Sequence, residues 1–551
     1  LYRHWNAYKE GKRNHISVVP VPADIPPKIA LPFDRVPRPR DLTPGDYDSP
    51  VFSLGGQDNY AFSPDGQEIC YTSNHDKVEA TSTNNDLWIV PVNSGATGAP
   101  LVNASPVAPK NITADNPASD STPLYSPDGK YIAYRAQQRP GYESDRLRLM
   151  LYDRKTGQKF LAPGMETFDR WIGSIAWAPD PDRIYFTAEN NGESPIYELY
   201  WHIIGGMPGP REVVGRFNDD LAVAPDGSRL VFTRMSISAP TEIAITPPRS
   251  AVPSNCKWSN TEVPPFYVVP DCYLSKAQSL TQVNDAVLSQ VAMSPLESFS
   301  FPGANGDKVQ GFLVRPPNFD PNKKYPVKFL IHGGPQGAWG DDWSYRWNPE
   351  LFAANGYVVI MINFHGSTGY GQKFIDAING DWGGAPFEDL MKGLDYAEKT
   401  YPFIDKDREC ALGASYGGYM ANWVLGHTDR FKCIVSHDGM FNTDSAWGTT
   451  EELWFNEWEF KGTPWANPEM YEKWSPRNAA KNFKTPTLVI HGQFDYRLDV
   501  SEGLQLFTTL QRLGVPSKML YFPDEGHWVL KPQNSQLWYK TVNEWVDRWT
   551  K

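Results

Sequence analysis

A turn sequence that recurs four times in the first half of the chain constrains the fold most strongly. The segments YAFSPDGQEICYTS, PLYSPDGKYIAYRA, IAWAPDPDRIYFTA and LAVAPDGSRLVFTR begin at Tyr60, Pro123, Ile175 and Leu221. In each, an apolar run meets a Pro-Asp turn and a second alternating run follows, which is the pattern of a β-hairpin. The turns are 63, 52 and 46 residues apart, close to the ~40–50 residues of a β-propeller blade.

Residues 1–280 are therefore predicted to form a β-propeller domain. A β-sandwich would also contain hairpins, but it would not repeat one turn sequence four times. At about 45–50 residues per blade, this span holds five or six blades. We therefore expect the propeller to be incomplete at its N-terminus, with further blades before Leu1.

The second half of the chain, residues 281–551, has a different pattern. Short apolar runs such as YPVKFLI at 325–331 and YVVIMIN at 357–363 alternate with helix-like stretches such as 387–400. Runs buried on both faces that alternate with helices are typical of a parallel sheet with crossover connections. This half is predicted to be an α/β domain with a mostly parallel, doubly wound sheet.

One serine in this half lies in the pattern Gly413-x-Ser415-x-Gly417. The apolar run ECAL precedes it and the helix-like YMANWVLGH follows it. A strand, a tight turn and a helix around a serine between glycines form the nucleophile elbow of an α/β-hydrolase. Ser415 is therefore predicted to be a catalytic nucleophile.

A serine nucleophile needs a base, and the base needs an anion that fixes its tautomer. In α/β-hydrolases the acid and then the histidine follow the serine along the chain. Asp495 comes just after the apolar run PTLVIHG, and His527 lies in the loop after the next strand. One competing acid, Asp499, lies beyond the turn. The other two, Asp524 and Glu525, lie too near His527 in sequence to orient it from another strand. We predict the triad Ser415, Asp495 and His527.

The oxyanion of the reaction needs donors aimed at the developing negative charge. The backbone N–H of Tyr416, directly after the nucleophile, is one predicted donor. The loop IHGGPQGAW supplies the other through Gly333 or Gly334, where the backbone can approach the substrate closely. An ordinary turn would explain these glycines in isolation, but their place after an apolar strand favours the oxyanion role.

Composition and motifs exclude several classes of function. The 551 residues carry a net charge of −12 with no run of five or six like charges, which argues against nucleic acid as a partner. No stretch approaches 18 apolar residues, so no membrane span is expected. The metal and phosphate motifs HExxH, paired CxxC and GxxxxGK[ST] are absent from the sequence, so no metal and no cofactor are predicted.

The cysteines and glycosylation motifs bear on the compartment. Five cysteines are too few for a disulfide scaffold. Cys256 and Cys272 flank a strand-like stretch, and they either form a disulfide or are two ordinary thiols. Asn-x-Ser/Thr motifs occur at Asn103 and Asn111. Together these features favour a secreted or periplasmic protein, and a homodimer stays open.

Five motifs of the second half resemble one known family. HGGPQGAW, NFHGSTGYGQ, GASYGGYM, HGQFDYR and PDEGHW, after a predicted propeller, resemble the prolyl oligopeptidase superfamily in its acylaminoacyl-peptidase and dipeptidyl-peptidase branch. The resemblance covers nearly the whole chain and is strongest from about residue 300 onward. The opening LYRHWNAYKEGKRNH resembles a segment well inside that family's propeller, so the family's first blades are expected to be absent here.

The resemblance implies a serine exopeptidase that releases dipeptides from the free N-terminus of short peptides. Such an enzyme must hold the substrate ammonium two residues from the scissile bond, which requires a carboxylate facing Ser415. The segment GYESDR resembles the family's motif and offers Glu143 and Asp145 as amine anchors, with Arg146 as a structural partner. The alternative interpretation of this segment is an ordinary solvated turn.

The aromatic segment SAWGTTEELWFNEWEF offers a pocket for the side chain before the scissile bond. Trp447, Trp454 and Phe455 are the candidates, and the alternative is the core of a helical insertion.

Two other functions remain open at this point. An acylaminoacyl-peptidase or an esterase would use the same triad. A non-catalytic binding protein on the same fold would have lost at least one triad residue, whereas all three stand in order.

Overall fold

The computed structural model describes residues 2–19, 39–52, 59–92, 108–202, 209–246 and 277–551. Cys256, Cys272 and Asn103 lie outside these residues, so the pairing of the two cysteines stays a prediction. The division of the chain near residue 280 also stays a prediction.

Short antiparallel ribbons occupy the beginning of the described chain, where β1 pairs with β2 and β3 with β4. Their strands are Arg3–His4 (β1), Ala7–Tyr8 (β2), Ser17–Val18 (β3) and Arg40–Asp41 (β4).

Within the described ranges, four antiparallel sheets of four strands follow, and each sheet is formed by four consecutive strands. The strands are Tyr60–Phe62 (β5), Glu68–Ser73 (β6), Asp86–Pro91 (β7), Lys110–Asn111 (β8), Asp120–Tyr125 (β9), Tyr131–Ala136 (β10), Arg148–Asp153 (β11), Lys159–Leu161 (β12), Ile175–Trp177 (β13), Arg183–Thr187 (β14), Ile196–Tyr200 (β15), Arg211–Val214 (β16), Phe217–Val223 (β17), Leu230–Ser236 (β18), Ala239–Ile245 (β19) and Gln278–Ser279 (β20).

Each repeated Pro-Asp turn joins the first two strands of one sheet as a hairpin. The four predicted hairpins are therefore confirmed. Glycine follows the aspartate in three of the turns, at Gly66, Gly129 and Gly227, with φ of 68°, 68° and 70°. These left-handed conformations favour glycine because it has no Cβ.

The four sheets pack against one another in chain order. Ile132 and Tyr134 of the second sheet bury against Cys70 and Leu87 of the first. Further apolar clusters join the second sheet to the third and the third to the fourth. This face-to-face stacking of consecutive four-stranded sheets is blade-like.

An eight-stranded sheet dominates the second half, with strand order β21-β22-β24-β23-β25-β26-β27-β28. The pairs from β24 to β28 are parallel, whereas β21 and β22 are antiparallel to their neighbours. The predicted mostly parallel sheet is confirmed. The strands are Glu297–Pro302 (β21), Lys308–Val314 (β22), Tyr325–Ile331 (β23), Val358–Asn363 (β24), Ile404–Ala414 (β25), Cys433–His437 (β26), Thr487–Gly492 (β27) and Ser517–Phe522 (β28).

Helices cover both faces of this sheet. One core cluster packs helices such as α4 and α5 onto one face, and a second packs α2 and α10 onto the other. The α-helices of the described residues are Asp285–Leu288 (α1), Pro349–Ala353 (α2), Gln372–Asp376 (α3), Ala385–Thr400 (α4), Tyr416–His427 (α5), Thr443–Thr449 (α6), Leu453–Glu459 (α7), Pro468–Lys473 (α8), Val500–Leu513 (α9) and Pro532–Thr550 (α10). Short 3-10 helices lie at Glu79–Thr81, Ala304–Gly306 and Pro476–Asn482.

A disulfide joins Cys410 and Cys433, which face each other on the neighbouring strands β25 and β26. This pair has no signature in the sequence, because two buried cysteines on apolar strands have no distinctive spacing.

Candidate active site

Ser415 lies in the tight turn between β25 and α5. Its backbone adopts φ 58° and ψ −122°, a strained conformation for a residue with a Cβ. Its N–H donates to the carbonyl oxygen of His437 at 3.1 Å and to Asp438 Oδ1 at 2.6 Å. These two acceptors on the neighbouring strand end hold the serine in this conformation.

The glycines around Ser415 are a steric requirement. A Cβ on Gly413 would lie 2.1 Å from the carbonyl oxygen of Gly417, and a Cβ on Gly417 would lie 2.1 Å from that of Ile331. Both contacts are with backbone atoms that cannot move aside. The turn therefore closes only with glycine at these two positions.

Asp495 and His527 form a buried pair. His527 Nδ1 lies 2.7 Å from Asp495 Oδ2, and Asp495 Oδ1 accepts the backbone N–H groups of Arg497 and Leu498 at 3.0 and 2.9 Å. An Nδ1–H that donates to the carboxylate leaves Nε2 unprotonated and able to accept a proton. The structure thus brings two predicted triad residues into direct contact.

Electrostatics make this pair strongly polarised. Burial alone would raise the pKa of the Asp495 carboxyl, but the His527 and His491 imidazoles hold that pKa below its usual range. Burial alone would lower the pKa of His527, but the carboxylates of Asp438 and Asp495 raise it above its usual range. An ionised aspartate beside a basic imidazole is the arrangement that a general base requires.

Asp438 is a residue of this site that the sequence argument missed. It follows β26 directly and is buried, with its Oδ2 3.7 Å from His527 Nδ1 and 3.1 Å from His437 Nε2. Carboxyl ends of neighbouring parallel strands meet at one edge of a sheet. An acid directly after the strand next to that of Ser415 was the signal that could have identified it.

Among the described residues, Asp438, Asp495 and His527 are also the one group of three side chains whose ligand atoms lie close enough to share a metal ion. Asp495 and His527 bond to each other, and Asp438 accepts the N–H of Ser415. We therefore interpret the group as a base flanked by two carboxylates.

The predicted oxyanion residues lie beside Ser415. Tyr416 is the first residue of α5, and Gly333 and Gly334 follow β23 in the loop that faces it. An added Cβ on Gly333 would lie 3.1 Å from the Cβ of Ser415, and Gly334 has φ 125°. All three residues line one cavity with Ser415, and their role as oxyanion donors stays a prediction.

This cavity has a volume of about 430 Å³, enough for a short peptide segment. Ser415 and His527 contribute to its wall, together with Glu143, Glu452 and Phe455. A second cavity of about 370 Å³ shares Glu143, Glu452 and Arg497 with it. The two cavities therefore adjoin at an acidic cluster.

The loop that carries Glu143 comes from the second antiparallel sheet and is held against the α/β half. Arg139 donates to both carboxylate oxygens of Asp376 at 2.8 and 3.0 Å, and Tyr142 stacks on Trp458 with ring centroids 4.5 Å apart. These contacts place Glu143 at the junction of the two cavities. Glu143 is exposed to solvent at this junction, and desolvation by the surrounding protein raises the pKa of its carboxyl.

The other two predicted residues of this loop lie elsewhere. Asp145 is fully buried and accepts hydrogen bonds from Arg139 and Arg148 and from the N–H of Gln138. Arg146 contacts Phe168 and Asp169. Neither lines the cavity of Ser415, so Asp145 is not placed as an amine anchor. The hydrogen bonds that its carboxylate accepts stabilise the loop and the start of β11 instead.

The three predicted aromatic residues separate in the structure. Phe455 lines the cavity of Ser415, whereas Trp454 lines the second cavity. Trp447 packs edge-on against Trp465 and donates to Glu457. Of the three, the structure brings only Phe455 to the wall that also contains Ser415.

Glu452 and Trp5 were also missed by the sequence argument. Glu452 is buried, which raises its pKa well above the usual range, and it lies 2.8 Å from the Arg497 guanidinium. Arg497 also donates to Glu451 at 2.9 Å. With Glu143, three carboxylates thus surround one guanidinium. Trp5 packs edge-on against His527 and Trp528, with centroid separations of 5.5 and 5.1 Å.

In the part of the chain that the structure describes, none of the helices has the length and apolar character needed to span a bilayer.

Comparison with known proteins places this geometry in a family. Residues 343–551 match the model of the prolyl oligopeptidase family. Dipeptidyl-peptidase 5 of Schizosaccharomyces pombe is 35% identical over 562 residues, covering 100% of this chain and 74% of the relative. Dipeptidyl-peptidase 5 of Aspergillus oryzae is 38% identical over 515 residues, covering 91% of this chain. The chain spans 66% of the length of this second relative.

A solved structure with the same fold is the Pyrococcus horikoshii acylaminoacyl peptidase. It matches with a TM-score of 0.72 at 21% identity, covering 94% of this chain and 72% of that one. The family match, the 35% identity to the Schizosaccharomyces pombe relative and the buried Asp495–His527 pair agree. The chain therefore belongs to the prolyl oligopeptidase family of serine peptidases.

Proposed function

We propose that the protein is a serine exopeptidase that releases dipeptides from the free N-terminus of short peptides. The observation that carries this proposal is the acidic cluster in the cavity of Ser415. In this cluster, Glu143 and Glu452 line the cavity of Ser415, and Glu451 lies beside them in the second cavity. The three carboxylates share one guanidinium, that of Arg497, so the cluster is suited to bind a cation. The relatives named dipeptidyl-peptidase 5 support the same activity.

In this mechanism Ser415 attacks the carbonyl carbon of the second residue while His527 Nε2 takes its proton. Asp495 holds the imidazole through Nδ1 and stabilises the imidazolium as it forms. The N–H groups of Tyr416 and Gly334 bind the oxyanion. His527 then protonates the leaving amine, and water releases the dipeptide from the acyl-enzyme.

The ammonium group of the substrate binds Glu143 and Glu452. A free N-terminus supplies the positive charge that the cluster lacks, and it offsets the desolvation that raises the pKa of both carboxyls. An acylated N-terminus is neutral and would leave the excess negative charge of the cluster uncompensated. The cluster therefore favours dipeptide release over the removal of acylated residues.

The four antiparallel sheets act as propeller blades beside the α/β-hydrolase half and restrict access to the cavity. The loop that carries Glu143 connects two strands of one of these sheets, so the blades contribute directly to substrate binding. We also propose an extracytoplasmic location, which the Cys410–Cys433 disulfide supports because disulfides persist in oxidising compartments.

The test is hydrolysis of Lys-Ala-anilide beside its N-acetylated twin, with dipeptide release followed by mass spectrometry. We expect turnover of the free-amine substrate alone and its loss in Ser415→Ala. Ser535→Ala on α10, which does not line the cavity, is the matched control and should retain activity. Preference for the acetylated twin would move the assignment to acylaminoacyl-peptidase chemistry. Activity that survives in Ser415→Ala would overturn the nucleophile.

A further inference from the structure

Arg346 is a cation of the active-site cavity that the mechanism above does not use. It lies in the loop between β23 and α2 and lines the cavity with Ser415 and His527. Its guanidinium carbon lies 4.1 Å from the ring centroid of Trp528, the residue directly after His527. The guanidinium is thus fixed beside the catalytic histidine by stacking on an aromatic face.

The charge of Arg346 has no carboxylate partner within the protein as described. No carboxylate oxygen among the described residues lies within 4.0 Å of its guanidinium. Asp438 attracts it only from a greater distance, and burial lowers the pKa of Arg346. Arg346 is partly buried, and a partly desolvated guanidinium without an ion-pair partner would be stabilised by an anionic ligand.

The two arginines that line the cavity differ in their ion pairing. Arg497 donates to Glu451 and bonds Glu452, and its guanidinium stacks on Trp5 at 5.0 Å. Trp5 in turn packs against Trp528, on which Arg346 stacks. Two aromatic rings therefore separate an arginine committed to the acidic cluster from one that is available to a ligand.

The position of Arg346 relates it to the leaving group. The acidic cluster marks the end of the cavity where the substrate ammonium binds, and His527 must face the leaving nitrogen to protonate it. Arg346 stacks on Trp528, and Trp528 packs on Trp5, which carries Arg497 of the cluster on its ring. The two indole rings thus lie between Arg346 and the cluster. A leaving group of one or two residues ends in a carboxylate close to its nitrogen, and the planar guanidinium can donate two hydrogen bonds to it.

The acids that share the cavity do not cancel this attraction. Asp438 already accepts the N–H of Ser415 and acts on His527. Burial raises the pKa of Asp342 to about 7, so this group is partly neutral near neutral pH.

We propose that Arg346 binds the C-terminal carboxylate of the leaving residue, which makes free-acid tripeptides and other very short peptides the preferred substrates. The proposal rests on the proposed dipeptidyl-peptidase function and adds a subsite on the leaving-group side of the scissile bond.

The experiment compares Lys-Ala-Ala with its C-terminal amide, and Lys-Ala-anilide serves as a substrate without a carboxylate. The measured quantity is the ratio of kcat/KM for the acid to that for the amide within each enzyme, so a general loss of activity cancels. In the wild type we expect a ratio of about ten- to a hundredfold, the size of one charge-assisted contact. In Arg346→Gln the ratio should fall to near one, and Arg346→Lys should retain part of it.

Arg512→Gln is the matched control. Arg512 is an exposed arginine of α9 that does not line the cavity and likewise has no carboxylate within 4.0 Å among the described residues. Its ratio should equal that of the wild type.

Calorimetric binding of the acid and the amide to Ser415→Ala, with and without Arg346→Gln, checks the same preference without turnover. A wild-type ratio near one, or a ratio unchanged in Arg346→Gln, would overturn the subsite while release of Lys-Ala from the amide or the anilide still supports the peptidase. Failure of the wild type to release Lys-Ala from all three substrates would instead reject the proposed function.

Discussion

The backbone N–H of Ser415 donates to Asp438 Oδ1 at 2.6 Å, while Asp438 Oδ2 lies 3.7 Å from Nδ1 of His527. One carboxylate thus acts both on the backbone of Ser415 and on the charge of His527. Asp438 itself has φ 40°, a conformation that side chains rarely adopt. The arrangement makes Asp438 a positioning residue whose two effects can be separated by substitution.

Asp438→Asn is expected to move the acid limb of the pH profile to lower pH. The amide oxygen can still accept the N–H of Ser415, but one negative charge near His527 is lost. The pKa of His527 is raised by Asp438 and Asp495, so removal of one carboxylate lowers it. His527 must be neutral to act as a base, and it then stays neutral at a lower pH. The measurement is kcat/KM from pH 4 to 9 with a dipeptidyl anilide.

His332 is buried on the same cavity but bonds Gly333 and Ser367, so it does not set this limb. The charged groups that face His527 are Asp438, Asp495 and Arg497. An acid limb that stays in place in Asp438→Asn, or moves to higher pH, would refute the electrostatic role. Asp438→Ala removes the acceptor as well and should lower kcat further.

Glu452→Gln and Glu143→Gln are expected to raise KM for free-amine substrates. Each change removes a carboxylate from the proposed ammonium site, and the loss of one charge-assisted hydrogen bond corresponds to about tenfold or more in kcat/KM. Glu457→Gln is the control, because Glu457 contacts Trp447 and lines neither cavity. Steady-state kinetics with Lys-Ala-anilide is the measurement. Equal KM values in all three variants would exclude the acidic cluster as the anchor.

The low-pH behaviour of KM follows from the same cluster. Burial raises the pKa values of Glu143 and Glu452, so these carboxyls become neutral at a higher pH than an exposed glutamate. Ammonium binding needs them ionised. We therefore expect KM to increase as pH falls through the raised pKa values, and the increase should be smaller in the double variant that carries both Gln substitutions. A KM independent of pH in the wild type would contradict this.

Trp5→Ala is expected to lower kcat/KM by about tenfold or more. Trp5 packs against His527 and Trp528 and under the guanidinium of Arg497. Its truncation therefore removes the support of the His527 imidazole. It also leaves a cavity, and a cavity of this kind in a protein core lowers the free energy of unfolding by about 3 kcal/mol. Trp5→Phe keeps an aromatic ring and should retain much of the activity. The exposed Trp465 is the control position, and an equal loss in Trp465→Ala would show that the effect is not local.

Gly417→Ala is expected to prevent correct folding of the nucleophile turn. The added methyl group would lie 2.1 Å from the carbonyl oxygen of Ile331, so β23 or α5 must shift. Gly448→Ala in α6 meets no atom within 4 Å and should be neutral or stabilise the helix by up to about 1 kcal/mol. Denaturation midpoints and anilide turnover measure both variants. A fully active, stable Gly417→Ala enzyme would contradict the steric argument.

The repeated turns and the apolar runs allowed the two kinds of sheet to be predicted. The turn after Pro-Asp requires a left-handed backbone conformation, which favours glycine. A strand buried on both faces is a continuous apolar run. Both patterns can therefore be recognised in short stretches of sequence. The turn around Ser415 was predictable for the same reason, because backbone contacts at Gly413 and Gly417 exclude every side chain. The order of Asp495 and His527 along the chain follows the order of the strands that carry them.

Glu143 and Asp145 show where local patterns stop being informative. Both are acids of one loop, yet Glu143 faces the cavity while Asp145 binds Arg139 of the same loop and Arg148 of β11. The Trp447, Trp454 and Phe455 segment divides in the same way between three environments. Which side of a loop or helix faces a cavity depends on how that element packs against the rest of the protein. A short stretch of sequence does not determine this packing.

By itself, the sequence determined the hairpins, the parallel sheet, the tight turn around Ser415 and the pairing of His527 with Asp495, because each depends on contacts within one or two neighbouring elements. Only the tertiary structure decided that Trp5, more than 500 residues from His527, packs on the base, and that Asp438, Glu452 and Arg346 share its cavity. Such residues come from separate elements, and the packing of the whole chain brings their charges together in one poorly solvated space.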